Sequence, residues 1–184
     1  LDRALDVAAA LGATQLVVHS PFTTWDHHNL GARPGAREAL IARVHGSLGP
    51  AVRRAEGLGV ELVVENIEDM DPRDRVELVR SFESDAVRVS LDTGHANYAH
   101  RATGGPPVDV HIRVAGDLLT HVHLQDTDGF ADRHWMPGEG DIPWPSIFAA
   151  LESLASRPRL ILELADATKV PAAARRLDAQ GLAV

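Results

Sequence analysis

His19, Glu65, Asp92, His123 and Glu163 each close a short run rich in Val, Leu and Ile. A single run ending on a histidine or a carboxylate is ordinarily a satisfied structural residue. Five such endings in succession are hard to treat as independent. Two imidazoles and three carboxylates gathered at one place repel and desolvate one another unless a cation compensates. Nitrogen and oxygen donors without sulfur suit Zn or Mn, with Mg and Co also compatible.

The runs themselves are LVVH (16–19), ELVVE (61–65), VRVSLD (87–92), THVHLQ (120–125) and LILEL (160–164), with a weaker sixth near Leu182 to Val184. Longer segments of helical period separate them: Asp2 to Leu11, Ala36 to Leu58, Pro72 to Phe82, Val108 to Leu119, Pro145 to Ala155 and Thr168 to Ala179. Gly46, Gly49 and Pro50 predict a kink or break in the second of these. Gly57 and Gly59 are placed to end it. Alternation of strand and helix predicts βα units and a parallel sheet. Along each strand successive residues face opposite ways, so Val87, Val89 and Leu91 oppose Arg88, Ser90 and Asp92. The apolar face suits covering helices and the polar face an interior. A closed βα barrel has that geometry and gathers its active site at the C-terminal strand ends.

The stretch DTDGFADRHWMPGEGDIPW (126–144) reads as a loop, yet it carries Asp132, Arg133 and His134. It follows the strand ending in His123 and is expected to fold back over the mouth. Asn66 and Glu68 after Glu65, and Gln125 and Asp126 after His123, are expected to hydrogen-bond ligands from behind. Trp25 and Trp135 could form an apolar wall beside a bound ligand or simply cover the barrel end. His121 lies one layer deeper than His123 and is expected to pack. His27 and His28 read as loop residues, and His45, His100 and His111 as solvated ones.

Together VVHSPF (17–22), LVVENIED (62–69), VSLDTGH (89–95), HVHLQDTDG (121–129), DRHWMPGEGDIPW (132–144) and LILEL (160–164) resemble the xylose-isomerase-like barrel superfamily. That group includes sugar-phosphate isomerases and epimerases and the endonuclease IV type of abasic-site nuclease. The resemblance implies a (β/α)8 TIM barrel and a metal site of Glu65, Asp92, His123 and Glu163. It adds His95 as a ligand or substrate contact. From the nuclease branch it adds Asp132, His134 and His19 as ligands of a further metal. A full barrel has eight βα units over about 250 residues. This chain of 184 residues opens on a helix and shows five clear strands. The expectation is a single partial barrel domain over 1–184, lacking the first two units, as a fragment of a longer protein.

The function expected is a metal-dependent sugar or sugar-phosphate isomerase or epimerase. Glu65 and Glu163 would move the proton, His95 would orient a substrate oxygen, and Arg133 would hold a distal hydroxyl or phosphate. The alternatives are a multi-zinc phosphodiesterase acting on abasic DNA and a non-catalytic metal- or sugar-binding barrel. A net charge of −8 and the lack of a basic stripe argue against nucleic acid as a partner. No apolar run of eighteen residues indicates a membrane span. Zero cysteines exclude thiolate chemistry and accord with a cytoplasmic enzyme. A homo-oligomer is compatible with all of this.

Overall fold

In the computed structural model, which describes residues 1–181, five parallel strands lie side by side in chain order. They are β1 (Gln15–His19), β2 (Glu61–Glu65), β3 (Val87–Asp92), β4 (Leu119–Leu124) and β5 (Arg159–Leu162). The helices are α1 (Asp2–Ala10), α2 (Thr24–Asn29), α3 (Ala36–Leu58), α4 (Pro72–Ser81), α5 (Thr93–Thr103), α6 (Val108–Ala115), α7 (Trp144–Glu152) and α8 (Val170–Ala179). The five expected strands are present, and the weak sixth lies outside the described residues.

One face of the sheet is covered. Leu62, Val64, Val87, Val89, Leu91, Val122 and Leu124 are buried there against Leu5, Ala55, Val76, Ile112 and Ile147. The other face curves inward. Gln15 Nε2 on β1 donates to the Thr120 carbonyl on β4 at 3.1 Å, although β2 and β3 stand between them. In a flat sheet those strands would lie roughly 14 Å apart, at about 4.8 Å per step. The sheet is therefore an arc of a βα barrel, as the alternating faces predict.

Register fixes which side chains share the interior. His19 pairs with Glu65, and Asp92 with His123, while Glu65 pairs with Ser90, so the two pairs are offset by two residues and share the interior face. Between β3 and β4 the register slips. Val89 faces Leu119 but Ser90 faces His121, which leaves Thr120 as an extra residue. Such a bulge turns two consecutive side chains to one face. Thr120 Oγ1 donates to Glu61 while the His121 ring meets Ser90 Oγ at 2.9 Å.

Three expectations are corrected. α3 continues through Pro50 as one helix, since Val44, Ala51, Val52 and Ala55 are buried on both sides of the proline. Packing there outweighs the single ladder bond that proline removes. Two helices lie outside the expected set. The short α2 rests on a capping box in which Thr23 and Asp26 satisfy each other's backbone N–H. α5 starts straight from β3, with Asp92 as its cap accepting from the His95 N–H at 2.7 Å. The third concerns His111, which is 1% exposed and not solvated. It faces into the layer between α6 and α4, and neither ring nitrogen has a hydrogen-bond partner. Burial first, and the nearby Arg75 charge second, push its pKa down to about 3.

Candidate functional site

The strand ends form the floor of the mouth. Glu65, at 2% exposure, and Asp92, at 0%, close β2 and β3. His123 sits within β4, and Glu163 is the first residue past β5, its N–H still donating to the Leu124 carbonyl. His123 Nδ1 is 2.7 Å from Glu65 Oε2 and 3.2 Å from Glu163 Oε2. Both approaches are poorly angled for a hydrogen bond, and Asp92 Oδ2 is likewise buried without a partner. Buried polar atoms are normally satisfied. Two orphaned ligand-type atoms at one place fit a cation better than a proton network.

The spacing agrees. Asp92, His123 and Glu163 each offer a ligand atom, all within 4.8 Å of one another. Nitrogen and oxygen ligands of a tetrahedral Zn stand about 3.4 Å apart, at roughly 2.1 Å per bond. Glu65, Asp92 and His95 form a second such group and Glu65, His121 and His123 a third. The residues thus fit a divalent ion.

Charge is balanced only in part. Burial raises Asp92 to about 7, against the lowering charge of His95. Burial also raises Glu65, but the proximity and charge of His123 outweigh it and hold Glu65 below the usual carboxylate range. His123 is raised: burial lowers it, and Glu65, Glu163 and Asp92 more than reverse that. His95 is raised too, because Asp92 and the Asn66 carbonyl, 2.9 Å from Nδ1, overcome its desolvation. His121 goes the other way, to about 4, through burial and then the neighbouring His123. Its ring meets that of His123 edge-on, with centroids 4.7 Å apart, so it packs as expected while lying within ligand reach.

The second half of the site comes from the loop after β4. Asp132 and His134 pair at 3.0 Å, and Asp132 Oδ2 lies 3.4 Å from His95 Nε2. These three side chains form another candidate ligand group. His134 Nδ1 reaches within 3.8 Å of Glu163, which joins the two halves. His134 has φ 50°, a left-handed backbone that is uncommon outside glycine. Its N–H donates to Gln125 Oε1 and its carbonyl accepts from Ala165 N, which hold it there.

Gln125 and Asp126 organise this loop, in roles beyond those expected from the sequence. Gln125 does not support His123. Instead its Nε2 donates to Asp92 at 3.2 Å and to Asp132 at 2.7 Å, so it bridges the halves. It packs flat over Gly94, where any Cβ would collide with it. The Asp126 carboxylate accepts from the backbone of Thr127, Gly138 and Ile142 and from Trp144 Nε1. Asn66 clamps Asp92 through both its backbone groups.

Four candidates sit at the rim. His19 is exposed, with Nε2 3.8 Å from Glu65. Trp25 is 54% exposed on α2 under the Arg33 guanidinium. Arg133 turns away from the mouth onto Asp128 at 3.0 Å and over the half-buried Trp135 ring. Glu68 is exposed and belongs to none of the ligand groups found among the described residues. His27 and His28 lie on α2, outside the ligand groups.

The model of a family described as "Xylose isomerase-like TIM barrel" matches residues 1–180. Among curated relatives, D-psicose 3-epimerase of Ruminiclostridium cellulolyticum is 30% identical over 115 residues, 59% of this chain and 36% of that one. Among solved structures, a D-tagatose 3-epimerase-like protein superposes with TM-score 0.75 at 20% identity, over 97% of this chain and 67% of that one. The TTHB071 protein from Thermus thermophilus, soaked with zinc chloride, superposes with TM-score 0.65 at 28% identity, over 95% of this chain and 64% of that one. The chain spans between about a third and a half of the first curated relatives it matches. Among the described residues no helix is long and apolar enough to cross a membrane.

Proposed function

Since the chain belongs to the xylose isomerase-like TIM barrel family, we propose that it serves a divalent-metal-dependent sugar or sugar-phosphate isomerase or epimerase. The observation that carries this reading is the pair of carboxylates on one imidazole: Glu65 and Glu163 both approach His123 Nδ1 within 3.2 Å. Asp92, His123, Glu65 and Glu163 would hold the ion, with Mn or Zn favoured by the donor set. When bound, such an ion supplies an electrophile for a carbonyl and a neighbouring hydroxyl oxygen.

The chain's own residues divide the remaining work. Glu163 has a side chain 41% exposed and faces the opening, so it can take a proton from a carbon next to the carbonyl. Glu65 is ionised at neutral pH, since its pKa is held low, and can accept or return a proton from the buried side. His95, with a raised pKa and a ring reaching Asp132, donates to a substrate oxygen. The loop carrying His134 borders Glu163, with His134 Nδ1 3.8 Å from its carboxylate. Arg133 can hold a distal phosphate only by leaving Asp128.

Solvent deuterium incorporation into ketoses and their phosphates tests this. Glu163→Gln should lower exchange by about 10²–10⁴-fold, the usual scale for a lost general base. Unchanged exchange would overturn the assignment.

One observation favours a second reading, a multi-metal phosphodiesterase. His95, Asp132 and His134 form a ligand group separate from Asp92, His123 and Glu163. Elemental analysis decides between them: about one ion per chain supports the isomerase, and two or three support the phosphodiesterase.

A further inference from the structure

A cavity of about 370 Å³ opens beside His95 and Asp132. Its remaining walls are Ile67, Glu68, Tyr98, Phe130 and Ala131. The volume falls in the range of small-molecule sites, roughly 300–1,000 Å³. Because His95 and Asp132 also belong to the mouth, the cavity borders it. Its chemistry is different, however. The mouth is carboxylate and imidazole, whereas this annex is walled by an isoleucine, an alanine and two aromatic rings.

Phe130 is the telling residue. It is 77% exposed at a loop tip. Its placement is built: Phe130 N donates to Asp128 Oδ1 at 3.0 Å and Gly129 N to Thr127 Oγ1 at 3.2 Å. Gly129 has φ 75°, and a Cβ there would strike the Arg101 stem. The turn therefore fixes an aromatic ring in the open beside the site. Glu68, also exposed, makes no ion pair or hydrogen bond among the described residues.

We propose that this cavity is a subsite for an apolar or aromatic substituent on the sugar, attached through a cationic nitrogen that passes Glu68. The proposal rests on the carbohydrate reading above and narrows it from bare to N-substituted ketoses. A bare polyol would gain little from the faces of Phe130, Tyr98, Ile67 and Ala131, which offer its hydroxyls few partners. A ring or alkyl chain buries its own surface against Phe130, Tyr98 and Ile67, while Glu68 meets the ammonium.

Benzylamine probes the cavity alone, and D-fructose with 1-benzylamino-1-deoxy-D-fructose forms a matched pair for exchange on Mn-loaded protein. Benzylamine should shift the amide resonances of Ile67, Tyr98, Phe130 and Ala131. Phe130→Ala, safe for folding because the ring is exposed, should weaken that binding about tenfold. Glu68→Gln should weaken benzylamine but not benzyl alcohol. The substituted ketose should show a KM at least about tenfold below that of the plain one, and Phe130→Ala should shrink this ratio below about twofold. Shifts elsewhere, or shifts indifferent to Phe130→Ala, would overturn the subsite. Exchange of both ketoses with equal KM would also overturn it and leave the isomerase reading intact. Benzylamine seated in the cavity with neither ketose exchanging would overturn the carbohydrate reading, and the sugar half of this proposal with it.

Discussion

Two halves of the mouth carry the same kinds of side chain and are positioned by unlike means. Glu65, Asp92 and His123 are set by the ladder, whose register keeps them on one face: Glu65 pairs with Ser90, two residues before Asp92, and Asp92 with His123. Asp132 and His134 have no ladder beneath them. Their places come from two side chains, Gln125 and Asp126, together with a single backbone bridge between Asp126 and Trp135 and the Ala165 N–H on the His134 carbonyl. The strand-borne half distributes its positioning over many backbone bonds. The loop-borne half rests on a few bonds, most of them to the Gln125 and Asp126 side chains, so a single substitution should reach it far more easily.

The largest test is Asp126→Ala. It leaves the buried Trp144 indole N–H and three backbone N–H groups without their acceptor. Each such loss costs about 1–3 kcal/mol, and partial rescue by water leaves an expected total of about 3–5 kcal/mol by urea unfolding. Asp132→Ala, at an exposed position, should cost under about 1 kcal/mol in the same assay. Equal effects would erase the contrast between hub and ligand. Next is Gly140→Ala, whose Cβ would press on the Thr127 carbonyl and the Asp126 carboxylate. Overpacking against backbone should cost about 2–3 kcal/mol, visible as faster proteolysis within 128–134.

Gln125→Met removes the bridge between the halves while keeping the bulk over Gly94. Metal affinity or exchange should fall about tenfold, as for other supporting residues, with little change in melting temperature. The smallest effect concerns the framework behind the strand-borne half. His111 has a folded pKa of about 3, below its unfolded value. The unfolded chain therefore binds more protons between those values, and stability falls as pH drops through that window. The slope should be about 1 kcal/mol per pH unit between about pH 6 and pH 4, and His111→Leu should flatten it. An unchanged slope would mean that ring is not buried neutral.

The strand-borne half was legible in the sequence because period-two alternation reports faces, and strand ends report a common rim. The same reasoning anticipates the helix starting at Pro72, where Asp71 caps the Arg73 N–H. α5 escaped because its cap is Asp92, already read as a ligand; one side chain does both jobs. His111 escaped because a histidine reads as polar, although its spacing from Val108, Ile112 and Ala115 puts it on the buried stripe of α6. Asp126 looks like one aspartate among several, and Gln125 like support for its strand neighbour. Their roles depend on where residues 132–144 fold back, and no periodicity encodes that.

The bulge at Thr120 has a consequence in terms of insertions and deletions. Along a strand, facing is a matter of odd and even counting, and the extra residue resets the count once. Removing Thr120 forfeits its contacts with Gln15 and Glu61 but leaves His121 opposite Ser90 and His123 opposite Asp92. Removing Val122 instead would change the count between the two histidines and turn one of them out of the barrel. Length variation in this strand should thus be tolerated upstream of His121 and fatal just beyond it.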